Sequence, residues 1–241
     1  MVGAGSRPVR VDPLGLTAFP RGSFVLNAQE EIQIDTDSNV LESVSLQNLG
    51  VPYHVGQPGA ASLVVGGRSD AALVTLTIEP GVHLRMQKGG ALEIERATGP
   101  FPATGALVAI GTAADPIVLS SDRPSPQPGD WRGLWFGGIA RAENRVEHVR
   151  LEHTGADCGC SLVTCNAGIT GYEGAVIFTQ QPPTVFVKDS TLTDGRGHGF
   201  VLGYTGAALD FVSNNTVLGL SGCAQTLPSA AACPTPRPAC R

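Results

Sequence analysis

The stretch DSTLTDGRGHGF (189–200) sets two carboxylates, Asp189 and Asp194, close in sequence to Arg196 and His198. Paired carboxylates can divide acid and base work on a glycosidic bond, and an arginine or histidine beside them can move the proton of a sugar acid. The same string also reads as strand, polar glycine-rich turn, strand, and this corner reading is the simpler one. In EHVRLEHTG (147–155), alternation puts Val149 and Leu151 on one face and His148, Arg150 and Glu152 on the other. Such a row could hold an acidic saccharide or a metal, although outward polar residues are also what any half-buried strand requires.

Metal-binding residue types crowd EHTGADCGCSLVTC (152–165). The six cysteines fall in two groups, Cys158, Cys160, Cys165 and then Cys223, Cys233, Cys240. Their spacing departs from the paired knuckles of zinc sites. Three plus three cysteines in an exported chain can instead make three disulfides, with fifteen connectivities. Cys158 and Cys160 are poorly spaced to pair with each other, and at least one bridge is expected from this segment to the tail TLPSAAACPTPRPACR (226–241). Calcium is the one cofactor the sequence raises, through Asp35-Thr36-Asp37 and Asp189 with Asp194, but neither stretch has a calcium-loop or glycine-aspartate repeat pattern. No metal site is therefore expected. Nucleophile-elbow, P-loop and H-E-x-x-H motifs are absent. Asn214-Asn215-Thr216 is a glycosylation sequon by pattern, relevant only in a eukaryotic host.

Side chains like these need elements to position them, and the composition points to many short ones. Charged residues make up 15% of the 241-residue chain, while its 31 glycines and 18 prolines make up about a fifth. A net charge of −5 and the lack of a basic cluster give no footprint for nucleic acid. No apolar run approaches the length of a membrane span. No signal-peptide h-region opens the chain, yet a lysine-poor sequence with six cysteines reads as exported, a portion of a larger extracellular protein being one form this could take. A cytosolic protein with reduced thiols is the competing reading.

Helical periodicity is missing. Short alternating segments dominate: VHLRM (82–86), ALEIE (91–95), PIVLS (116–120), GLWF (133–136), AVIF (175–178), TVFV (184–187), FVL (200–202) and LDFV (209–212). Strands anchored at Val82, Ala106, Arg132, Gly174 and Gly197 recur at intervals near two dozen positions, except for one longer step from Arg132 to Gly174 that crosses the cysteine segment. Removing roughly residues 155–173 as one inserted loop brings the long step near two dozen, the period of a solenoid. An immunoglobulin-like sandwich would need longer strands and a hairpin grammar that is not present. The spacing thus favours an all-β parallel β-helix: an extended leader over 1–22, the helix over 23–222 with its loop insertion near 155–173, and a Cys/Pro-rich tail over 223–241 tethered by disulfides.

The ordered run LTIEPGVHLRM (76–86), ALVAIGTAADPIVLSSD (106–122), PGDWRGLWFGG (128–138) and NRVEHVRLEHTG (144–155) resembles bacterial secreted right-handed parallel β-helix repeat proteins, over roughly residues 50–220. The resemblance implies a single-stranded right-handed β-helix at the cell surface or outside the cell. It implies no activity, since fold does not fix function. Gly197-His198-Gly199 resembles the G-H-G of polygalacturonase-like enzymes, but the N-T-D and D-D of that family do not occur. The expectation is therefore a non-catalytic scaffold or recognition module for a glycan or a partner surface. A polysaccharide lyase, hydrolase or epimerase using Asp189, Asp194, Arg196 and His198 is the alternative.

Overall fold

The computed structural model describes residues 9–22, 24, 30–67, 72–95, 100–156, 173–229 and 240. Their regular structure is β-strand apart from a single 3-10 turn at Gly15–Ala18. Two strands, β1 (Val9–Val11) and β2 (Ile32–Ile34), come first. The chain then makes five circuits of three strands each. The first is β3 (Val44–Leu46), β4 (Tyr53–Val55) and β5 (Leu63–Val65), and the second is β6 (Val74–Ile78), β7 (His83–Met86) and β8 (Leu92–Ile94). The third is β9 (Gly105–Ile110), β10 (Ile117–Ser121) and β11 (Leu134–Phe136). The fourth is β12 (Arg145–Glu147), β13 (Val149–Glu152) and β14 (Gly174–Phe178), and the fifth is β15 (Val187–Lys188), β16 (Thr191–Thr193) and β17 (His198–Leu202). A last strand, β18 (Thr216–Leu218), follows.

Corresponding strands of successive circuits pair in parallel, which builds three sheets. One has eight strands in the order β1-β2-β4-β7-β10-β13-β16-β18, one has five in the order β3-β6-β9-β12-β15, and one has five in the order β5-β8-β11-β14-β17. Stacked parallel sheets visited in cyclic order are compatible with a parallel β-helix. Alternation explains which side chains turn inward. Leu84, Leu119, Leu151 and Leu192 are register neighbours in the eight-stranded sheet and all buried. Ile117 and Leu119 of the same sheet, two residues apart on β10, both lie in the core. In the β5–β17 sheet Val65, Ile94, Phe136, Phe178 and Leu202 form another inward column. Phe136 stacks on Phe178 at 5.5 Å between ring centres and Phe178 on Phe211 at 4.7 Å, which adds aromatic packing to area burial.

The two-dozen period does not survive. Leu92 pairs with Leu134 and Leu134 with Val176, two equal steps that are both far longer, so the long step is not confined to the cysteine segment. The step from Ile32 to its partner Tyr53 is only half as long. The regular early steps joined anchors that belong to different sheets: Val82 precedes β7, Ala106 lies in β9, and Arg132 precedes β11. A parallel ladder fixes the register of its strands and leaves the corner loops free in length. LDFV (209–212) is not a strand either. Phe211 sits within the aromatic stack between Phe178 and Phe200, while its N–H donates to Gln225 Oε1, a fully buried side chain.

The ends differ from the expected boundaries. Val9–Val11, read as leader, pairs with β2, and the 3-10 turn packs on β3. At the other end, residues beyond 222 continue the β5–β17 sheet: the Phe200 N–H donates to the Ala224 carbonyl and the Thr226 N–H to the Phe200 carbonyl. Cys223 and Cys240 form a disulfide across 17 residues, and Cys240 returns antiparallel to Thr226. The tail is therefore bridged back to the last circuit. Cys158, Cys160, Cys165 and Cys233, and with them the proposed bridge from the 155–173 segment, lie outside the described residues.

Candidate binding cleft

Asp189 and Asp194 sit at opposite ends of β16, both in the left-handed region, at φ 50° and 52°. The preceding strand β13 is bracketed in the same way by His148 and His153, at φ 51° and 61°. Register places His148 beside Asp189 and His153 beside Asp194, so the two pairs are stacked corners. Asp and His tolerate this conformation better than most residues, because a short polar side chain can bond locally. Asp194 Oδ2 accepts from the Thr193 hydroxyl at 3.0 Å. Arg196 lies 3.6 Å from Glu173 Oε1. His198 is buried, and its Nδ1 accepts the Cys223 N–H at 2.9 Å, which fixes the start of the tail. Asp189 and Asp194 are thus corner groups at opposite ends of β16, Arg196 faces Glu173, and His198 tethers the tail.

The row on β13 is only partly assembled. Arg150 donates to Glu152 Oε1 at 2.5 Å on the outer face, whereas His148 belongs to the corner. A neighbour missed in the sequence is His83, two strands away in the column of Arg150. Burial lowers the His83 pKa, the positive charges of Arg85 and Arg150 lower it further, and Glu152 opposes them. The calcium candidates are engaged with protein groups. Asp35 binds Arg10 through contacts of 2.9–3.2 Å, Thr36 donates to the Ala60 carbonyl, and Asp37 Oδ1 accepts from Gln57 at 2.7 Å. Among the described residues no three His, Cys, Asp or Glu side chains form a metal-sized group.

A cleft opens where the eight-stranded sheet turns into the β5–β17 sheet. Its volume is about 720 Å³, within the range of small-molecule sites. The segment after β2 and three successive circuits contribute, beginning with Thr36 and Asp37 after β2, the turn Gly59–Ser62 after β4, and Lys88 and Gly89 after β7. Glu93 on β8, with Arg132 before β11 and Trp135 on it, completes the wall. Glu93 and Trp135 are register neighbours on adjacent strands, about 4.8 Å apart. They belong to a column, Val64, Glu93, Trp135, Ile177 and Val201, that faces away from the core and is nevertheless buried.

Backbone bonds between turns hold the rim. The Gly89 N–H donates to the Asp130 carbonyl and the Arg132 N–H to the Gly90 carbonyl, both at 2.7 Å. Asp130 is itself locked in place, accepting from Ser121 at 2.8 Å, Arg123 at 2.9 Å and the Gln127 N–H at 2.8 Å. Burial alone would raise its pKa, but the Arg123, Gln127 and Ser121 hydrogen bonds together hold the carboxyl below its usual range. Trp131 is fully buried, and its Nε1–H donates to the Glu152 carbonyl at 2.7 Å. The PGDWRGLWF motif therefore builds the cleft's support in its first half and part of its wall in its second. Alternation in ALEIE and GLWF was the available signal for Glu93 and Trp135, but the pairing that joins them is not local. No family model, curated protein or solved structure matches the chain.

Proposed function

We propose that the protein is a single-stranded right-handed parallel β-helix, exported from a bacterial cell, that serves as a non-catalytic scaffold and recognises a glycan at the cleft. The cyclic parallel strand order supports the helix, and the strong bias of parallel crossovers supports its hand. The Cys223–Cys240 disulfide supports an oxidising compartment at the cell surface or beyond it. The observation that carries recognition is the polar cleft itself. It joins hydroxyls, carboxylates and cations from three circuits around one indole, the mixture that a hydroxyl-rich ligand requires. The non-catalytic reading is supported by the left-handed corners that Asp189 and Asp194 occupy, the Arg196–Glu173 ion pair and the His198–Cys223 hydrogen bond.

Retention of the protein on a panel of immobilised neutral and acidic polysaccharides, with the soluble products assayed for new reducing ends and unsaturated uronates, tests this reading. Retention without cleavage is expected. Cleavage would overturn the non-catalytic assignment in favour of a polysaccharide-processing enzyme, and absence of retention on every glycan would overturn glycan recognition.

A further inference from the structure

The charged groups that line the cleft differ in how far the protein already engages them. Asp37 Oδ1 already accepts from Gln57, and Glu93 and Arg132 are both engaged within the protein. Thr36 donates its hydroxyl proton to the Ala60 carbonyl. Ser62 Oγ accepts the Ala91 N–H at 3.0 Å, and among the described residues its own proton has no acceptor. Among the described residues, Lys88 is the one charged group in the lining with neither a hydrogen bond nor an ion pair. Lys88 sits exposed on the turn after β7, and Ser62 lies on the turn before β5, one circuit away. Beside them, a Cβ added at Gly59 or Gly89 would meet nothing within 4 Å, so both turns border open space.

We infer that this cleft takes a saccharide bearing an anionic substituent, a carboxylate or a sulfate, with the anion on the Lys88 ammonium and the Ser62 hydroxyl. The inference rests on glycan recognition at the same cleft and adds the ligand's charge. Two donors without internal acceptors select an acceptor-rich group, and charge-assisted bonds are the stronger kind. The carboxylates of Asp37 and Glu93 line the same cleft and would meet the neutral part of the sugar, whose hydroxyls donate hydrogen bonds to carboxylate oxygens. An anion placed against them instead would be repelled, so the charge arrangement gives the ligand an orientation as well as a sign.

Isothermal titration with three oligosaccharides of one backbone, neutral, carboxylated and sulfated, at low and raised salt, tests the inference. At least one charged form is expected to bind more tightly than the neutral form, with affinity falling as salt rises. Which of the two charged forms binds identifies the anion. Lys88→Ala is expected to weaken the charged ligand about tenfold or more and the neutral one by a clearly smaller factor, and Lys88→Arg to restore most of the loss. Ser62→Ala should weaken the same ligand by a smaller factor. An unchanged melting transition in each variant separates binding from folding. Equal binding of all three sugars, unaffected by Lys88→Ala, would overturn the anion and leave glycan recognition standing. No binding by any of them would overturn both.

Discussion

Asp130 is a carboxylate with three donors and almost no solvent, placed under the rim that carries Lys88, Gly89 and Arg132. Its folded-state pKa lies below its unfolded value. Its contribution to stability is therefore fully present above the unfolded value, about pH 4, and is lost as the pH falls through the lower folded value. Asp130→Asn keeps the shape and removes the charge, and should cost about 1–3 kcal/mol at neutral pH by urea denaturation. The same variant should lose less stability than the parent between pH 4 and the acid transition. An acid profile identical in the two proteins would rule out Asp130 as the group responsible. Asp194 is a carboxylate in the opposite situation, exposed and at a left-handed corner. Asp194→Gly should be tolerated, while Asp194→Val should cost about 1–2 kcal/mol, because a branched Cβ crowds the backbone there. A loss of the same size in Asp194→Gly would mean that the carboxylate, not the conformation, is what the site needs.

At the scale of strands and corners, aligned turns hold one circuit against the next. Gly155 and Gly197 show how tightly they approach. Both have positive φ, 87° and 83°, and an added Cβ would run into the Arg196 carbonyl oxygen at Gly155 and the Glu173 carbonyl oxygen at Gly197. Gly155→Ala should lower the unfolding free energy by more than about 1 kcal/mol, since both the conformation and the contact oppose a side chain. A neutral effect would show that the corner can shift as a unit. These contacts explain the string DGRGHG, whose residue types suggested chemistry: the aspartate fills a left-handed corner, the second glycine fits beneath a carbonyl, and the histidine accepts the backbone of the next turn. Strand positions were legible where alternation was local. PIVLS and ALEIE overlap β10 and β8 along most of their length, while TVFV overlaps β15 only at Val187. Phe186 instead packs edge-on against Phe136 and Phe178, a contact that its own sequence neighbourhood does not specify.

Across the whole molecule, the end of the stack is secured by the Cys223–Cys240 bridge, the His198 acceptor and the added pairing of residues 223–226. Closing a 17-residue loop should contribute about 3 kcal/mol by restricting the unfolded chain. Cys240→Ser is expected to lower stability by that order, measured without reductant, and adding reductant to the parent should reproduce much of the loss. Six reactive thiols in the denatured, unreduced protein would exclude the bridge. The sequence by itself determined the all-β character, the alternation of inward and outward residues and the glycine and proline turns, because those depend on close neighbours along the chain. The tertiary structure alone decided which strands lie side by side, that Asp189 and Asp194 fill corners while His198 tethers the tail, and that Glu93 meets Trp135. Partners in these sheets lie as near in sequence as Ile32 and Tyr53 and as far as Leu134 and Val176, joined through corners of unequal length. No local pattern carries that distance; the packing of one circuit on the next sets it.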